Sequence, residues 1–114
     1  MRTIRQLLLQ HERVWFYLRD EETEILFAQE LNEMDAKYLN GNRIFPSNCS
    51  PIMSVHRDGR VAHLMIMIWN ASFSPAFKNH SAKEISNVLK VDYQKYRNGC
   101  DDYICKKSEF IRIG

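Results

Sequence analysis

Three cysteines, four histidines and one cluster of acids are the residues of this chain whose types could do chemistry. Cys100 and Cys105 are separated by four residues, a spacing a zinc site tolerates. Cys49 with His56, His63 or His80 would complete four ligands. Zinc is therefore the one cofactor these residue types could hold, through Cys49, Cys100 and Cys105 first. Strong zinc motifs carry two tight pairs, and this chain has one loose pair, so buried apolar roles for Cys49 and Cys105 and a loop thiol at Cys100 are the competing expectation. Cys49 lies in a Ser-Asn-Cys-Ser stretch with His56 seven residues on, a thiol and an imidazole with no further motif for nucleophilic catalysis. The acids Asp20, Glu21, Glu22 and Glu24 are the other cluster. They read as helix-start chemistry, an N-cap followed by negative charge at the positive end of the helix dipole, in preference to a catalytic or metal-binding group.

Composition narrows the classes. A 114-residue chain that is 45% hydrophobic and 26% charged is expected to form one domain with a self-sufficient core. Residues 1–40 carry five Lys/Arg against eight Asp/Glu, residues 41–80 four against one, and residues 81–114 seven against five. The net +2 is too small and too dispersed for the concentrated basic face of a nucleic-acid binder, so nucleic acid is not expected as the direct ligand. The glycines Gly41, Gly59, Gly99 and Gly114 are isolated, which leaves no phosphate-cradling loop. The odd cysteine count argues against a disulfide framework. The Leu7-Leu8-Leu9 run is too short for a secretory h-region, and no apolar stretch reaches the ~20 residues of a membrane span. The cytoplasm is the expected compartment.

The elements that must position these residues follow from local signals. Thr3 with Gln6 makes a capping box for a short helix to Gln10. Arg13 to Leu18 is β-branched and aromatic, hence a strand whose consecutive Trp15, Phe16 and Tyr17 cannot all share a face. Asp20 starts a helix to about Lys37, with Phe27, Leu31 and Met34 inward, supported by Ala28 and Leu26. Tyr38 to Ile44, with an Asn40-Gly41 turn between short apolar pairs, suggests a small hairpin or the lead-in to a strand, and Phe45 to Pro51 a surface loop. Ile52 to Trp69 then reads as a hairpin turning at Asp58-Gly59. Its second strand, Val61 to Trp69, is apolar on both alternating faces and is expected at the centre of the sheet. A two-residue turn pairs His56 with Val61 and sets His56 and His63 on one face. Asn70 to Ser81 is irregular, Ser81 to Glu84 a brief helical turn, and Val88 to Tyr93 a last strand before a turn at Asn98-Gly99. The expected fold is α+β, a mostly antiparallel sheet of four or five strands flanked by two helices.

Aromatics remain: Trp69, Phe73 and Phe77 around the irregular segment, and Tyr93, Tyr96 and Tyr103 among Arg97, Lys106 and Lys107. Tyr, Trp and Arg dominate interfaces, so a chain without a catalytic constellation and rich in them is expected to be a binder and not an enzyme. The layout of Ile52-Met53-Ser54-Val55-His56-Arg57-Asp58, a long apolar run, then VDYQKYRNG (Val91 to Gly99) and Asp101-Asp102-Tyr103-Ile104 resembles a group of small accessory proteins. These are carried on mobile elements of gut and other Gram-positive bacteria. The resemblance spans about Val14 to Cys105, and its motifs are structural, so it carries over no functional residue. It implies a phage or mobile-element inhibitor that binds a protein partner. The concrete expectation is an anti-CRISPR acting on a Cas9-type effector, with Asp20 to Glu24 as the phosphate mimic. A small zinc-stabilised module and a weak nucleic-acid-binding accessory protein are the alternatives.

Overall fold

In the computed structural model, which describes residues 2–73 and 88–106, the local signals at the N-terminal end hold closely. Helix α1 is Ile4–Gln10. Thr3 Oγ1 accepts from the Gln6 N–H at 3.2 Å and Gln6 Oε1 accepts from the Thr3 N–H at 2.9 Å, so the capping box satisfies two orphan donors. Strand β1 is Arg13–Tyr17 and helix α2 is Glu21–Glu33. Asp20 Oδ1 accepts from the Thr23 N–H at 2.9 Å and from the Thr23 hydroxyl at 2.6 Å. The helix stops short of Lys37 because Asp35 takes a left-handed conformation at φ 58, a conformation a short polar side chain tolerates, and Ala36 N–H returns to Leu31 O at 2.9 Å.

The sheet has five strands in the order β2-β4-β3-β1-β5, where β2 is Lys37–Tyr38, β3 Ile52–His56, β4 Arg60–His63 and β5 Leu89–Asp92. β3 pairs antiparallel with β1 and β4, whereas β5 runs parallel to β1 and β2 parallel to β4. The α+β class is as expected. The sheet is mixed, since both outer pairings are parallel. One edge strand, β2, is only two residues long. The other, β5, is covered by the chain at Tyr103–Cys105, where Asp92 N–H donates to Tyr103 O and Cys105 N–H to Lys90 O, both at 2.8 Å. Neither edge offers a long open ladder.

The apolar run after the hairpin corrects the reading of Val61 to Trp69 as one central strand. β4 ends at His63, and Ile66–Ala71 is helix α3, so β3 is the middle strand. Alternation would put Met65, Met67 and Trp69 on one face. Instead Trp69 is buried with Leu64 and Ile68 beside it, an i, i+4, i+5 spacing, while Met65 and Met67 are exposed. An apolar stretch of this length is compatible with either period, and tertiary contact decided it. Helix α4, Tyr93–Arg97, and a 3₁₀ turn at Pro46–Asn48 are the remaining helical segments described. Asp92 caps α4 by accepting from Lys95 N–H at 3.2 Å, and Arg19 donates to its other oxygen at 2.6 Å.

Two cores lie against the two faces of the sheet. On the first, Val14, Phe16, Met53, Val55, Val61 and Val91 meet α1, α2 and α4 through Ile4, Leu7, Leu8, Phe27, Leu31, Tyr93 and Tyr96. Phe16, Phe27 and Tyr93 pack ring to ring at 5.1–5.8 Å, each pair adding about 1 kcal/mol beyond area burial. On the second, Trp15, Tyr17 and Ile52 meet Trp69, Val88 and Phe73. Phe16 therefore faces away from Trp15 and Tyr17, as strand alternation requires. None of the three is an exposed aromatic.

The hairpin turns where expected but is longer by one residue. Val55 pairs with Val61 and Ser54 with Ala62, so Arg57, Asp58 and Gly59 form a three-residue loop. Gly59 N–H donates to His56 O at 3.0 Å, and Gly59 sits at φ +92, the left-handed residue that closes such a loop. A Cβ at Gly59 meets nothing within 4 Å, so its cost is purely conformational. Gly59→Ala is expected to lower stability by about 1–2 kcal/mol in urea titration, with no change in the sheet's circular-dichroism signature.

Candidate functional site

The cysteines do not converge. Cys49 packs against the first core, Cys105 against the second, across the sheet from it, and Cys100 is exposed in the turn after α4. Among the described residues no group of three His, Cys, Asp or Glu side chains is arranged to hold a metal ion; His80 lies outside them. The Cys49 thiol donates to Phe45 O at 3.3 Å. Burial and the nearby Glu24 charge push it up to about 11, against a smaller opposite pull from the Tyr38 hydroxyl. It is thus a thiol and not a nucleophilic thiolate at neutral pH.

His56 is not its partner. The one-residue change in hairpin register sends His56 and His63 to opposite faces, because side chains alternate with period two. This overturns the expected His56–His63 pair. His56 lies opposite Arg13 of β1, and burial together with the charges of Arg60 and Arg13 holds its imidazole below the usual histidine range against the pull of Asp58 and Glu12. The imidazole near the Cys49 loop is His63, through Asn48. His63 Nε2 is 2.6 Å from Asn48 O and 3.2 Å from the Tyr38 hydroxyl, which itself lies 2.6 Å from Asn48 O. The Tyr38 and His63 rings meet edge to face at 5.4 Å. Nothing local in the sequence signalled this group, since its members come from β2, the 3₁₀ turn and β4.

The acids divide by role. Asp20 is the cap of α2, and Glu24, at 7% exposure, faces inward beside the Cys49 loop. Glu21 and Glu22 are exposed. At about 100° per residue they share one side of α2 with Ile25, Leu26, Gln29 and Glu33. Leu26 is 41% exposed, which corrects its placing on the inward stripe, and Thr23, Glu24 and Glu30 occupy inward positions instead. The outer face of α2 is thus an apolar pair, Ile25 and Leu26, bordered by three carboxylates that form no ion pair among the described residues.

The tyrosines of the final segment do not form a surface. Tyr93 and Tyr96 are buried in the first core, and Arg97 binds Tyr93 and Glu30 from within. Tyr103 meets Tyr96 edge to face at 5.0 Å with the Arg2 guanidinium over it, also at 5.0 Å. Phe77 and Lys107 lie outside the described residues. Among the described residues no helix is long and apolar enough to cross a membrane. Comparison of the chain with protein-family models, curated proteins and solved structures found no match.

Proposed function

We propose that this chain is a non-enzymatic protein-binding inhibitor whose contact surface is the outer face of α2. Following the resemblance described above, the partner to test is a Cas9-type effector. The observation that supports the reading is that α2 turns Ile25 and Leu26 to solvent between the carboxylates of Glu21, Glu22 and Glu33, which form no ion pair among the described residues. An apolar centre inside a charged rim is the anatomy of a protein interface, and an acidic rim suits a basic surface of the kind that holds nucleic acid. Blocking would then follow from occupying ground that nucleic acid needs.

The test is capture of a purified Cas9–guide complex by the immobilised protein, paired with a DNA-cleavage assay. Leu26→Ala is expected to weaken binding about tenfold, as loss of a central apolar anchor does. Glu21→Lys with Glu22→Lys is expected to slow association and to abolish its salt dependence. A complex that leaves the protein unbound, with cleavage unaffected, would exclude this partner. Binding indifferent to all three substitutions would exclude this surface. Weak nucleic-acid binding is the second reading, favoured by Arg13, His56 and Arg60, which lie close across three adjacent strands. It predicts an affinity for DNA that falls steeply with salt.

A further inference from the structure

We propose that the cleft at the β2–β4 edge of the sheet is a binding site for an uncharged planar heterocycle with adjacent hydrogen-bond donor and acceptor groups, of the nucleobase type. The cleft exists because β2 is so short. It pairs only with Arg60 and Val61 of β4, and the chain then leaves at Leu39 for the Asn40-Gly41 turn. The last residues of β4 are left beside a space of about 420 Å³, with Val61 and Ala62 as apolar lining and Tyr38, Asn48, Asn40, Asn42 and His63 as polar lining. That volume lies within the range of small-molecule sites.

Among the described residues no Asp, Glu, Lys or Arg lines it, so an ion would enter without a counter-charge and a neutral ligand is the better match. The polar groups then sort into those already engaged and those left over. Asn48 is held at both ends of its side-chain amide. Its Oδ1 accepts from Phe45 N–H at 2.9 Å and lies 3.0 Å from the Tyr38 hydroxyl, and its Nδ2 donates to Arg43 O at 3.0 Å. Its main-chain oxygen can only accept, so His63 Nε2, 2.6 Å away, carries the ring hydrogen. In that tautomer Nδ1 is the acceptor. Asn40 Oδ1 accepts from Asn42 N–H at 3.0 Å, which leaves Asn40 Nδ2 as a donor. The Asn42 carboxamide has no hydrogen bond among the described residues and presents a donor and an acceptor side by side. A side-chain carboxamide of this kind matches the N6–H and N7 edge of adenine in a bidentate pair. Anchored Tyr38 and His63 rings supply flat surface for a flat ligand.

A base could arrive as a free nucleoside or on a single strand, and two arms of one experiment separate them. The amide spectrum of the ¹⁵N-labelled full chain is titrated with adenosine, then with a short oligo-dA. Saturable shifts confined to the Leu39–Asn42 turn, Asn48 and Ala62–His63 are expected with adenosine. A much tighter response to the oligonucleotide would assign the strand as the source. Asn42→Ala removes a side chain with no described hydrogen bond, so the fold should persist while adenosine affinity drops at least tenfold. Guanosine and the pyrimidine nucleosides should bind more weakly. The proposal is overturned if no nucleoside gives saturable shifts up to about 10 mM, well above a ~1 mM dissociation constant. It is equally overturned if the shifts survive unchanged in Asn42→Ala. The site is separate from the outer face of α2, so either can fail without the other.

Discussion

Glu30→Ala is expected to lower the unfolding free energy by about 3 kcal/mol, a large share of the ~5–15 kcal/mol that holds a domain together. Glu30 is 8% exposed in the last turn of α2, and it ties three helices. Oε2 accepts from the Ile4 N–H at the start of α1. Oε1 accepts from the Tyr93 hydroxyl at 2.6 Å and lies 3.5 Å from an Arg97 guanidinium nitrogen in α4. Hydrogen bonds to a charged group contribute about 1.5–3 kcal/mol each, and removing the acceptor leaves the Ile4 N–H buried with nothing to bond. The Tyr93 hydroxyl still accepts from Arg97 at 3.2 Å, but as a donor it is left with the longer contact to Leu26 O at 3.4 Å. Glu30→Gln keeps one carbonyl acceptor and is expected to cost less, about 1–2 kcal/mol, since its amide must place a donor against a donor. Urea midpoints of the three proteins measure this. A loss below about 1 kcal/mol in Glu30→Ala would mean that α1 docks through Ile4, Leu7 and Leu8 alone.

Stability is expected to fall steeply above about pH 10, the ordinary tyrosine value. Burial chiefly, with the Glu30 hydrogen bond, raises the folded-state pKa of Tyr93 against the smaller opposing effect of Arg97. Above pH 10 the unfolded chain loses the Tyr93 proton while the folded chain keeps it, so the unfolded state binds fewer protons and stability declines as pH rises. The contribution is complete below the unfolded value and disappears as pH climbs toward the folded one. Tyr93 alone removes up to about 1.4 kcal/mol per pH unit in that window. Tyr96 and Tyr38, also raised mainly by burial, act in the same direction. Lys90, lowered by burial, acts oppositely, but only up to about 10.4, the value its amine has in the unfolded chain. Tyr93→Phe is the control: weaker than the parent at pH 7 by about 1 kcal/mol, it should close that gap as pH passes 10. Parallel curves for the two proteins across pH 9–12 would show that Tyr93 is not the group responsible.

These effects were not legible in advance, whereas the elements carrying them were. The Thr3–Gln6 box and the Asp20 cap are signals contained within four residues, and both helices start where those residues stand. The groups that Glu30 joins lie 26, 63 and 67 residues away along the chain, and no periodicity announces such a meeting. Hydrophobic spacing instead placed Leu26 inside, because it could not foresee that Glu24 and Glu30 would take inward positions. The candidate binding face was half visible. Glu21 and Glu22 are exposed, while Asp20 is engaged as the helix cap and Glu24 is buried.

The sequence alone determined the α+β class, the starts of α1 and α2, strands β1, β3 and β5, and the turn at Asp58-Gly59. Each rests on residues near one another in the chain, where capping, alternation and glycine's freedom at positive φ act directly. Tertiary structure decided the parallel pairing of β5 with β1, the conversion of the run after His63 into α3, and the separation of His56 from His63. It also decided the scattering of Cys49, Cys100 and Cys105 and the meeting of Tyr38, Asn48 and His63 at the sheet edge. A single additional loop residue at the hairpin reverses which face every later strand side chain takes, and an all-apolar run satisfies either period. In both cases the outcome is set by which surface each segment buries, and that surface is made by residues far away in the chain.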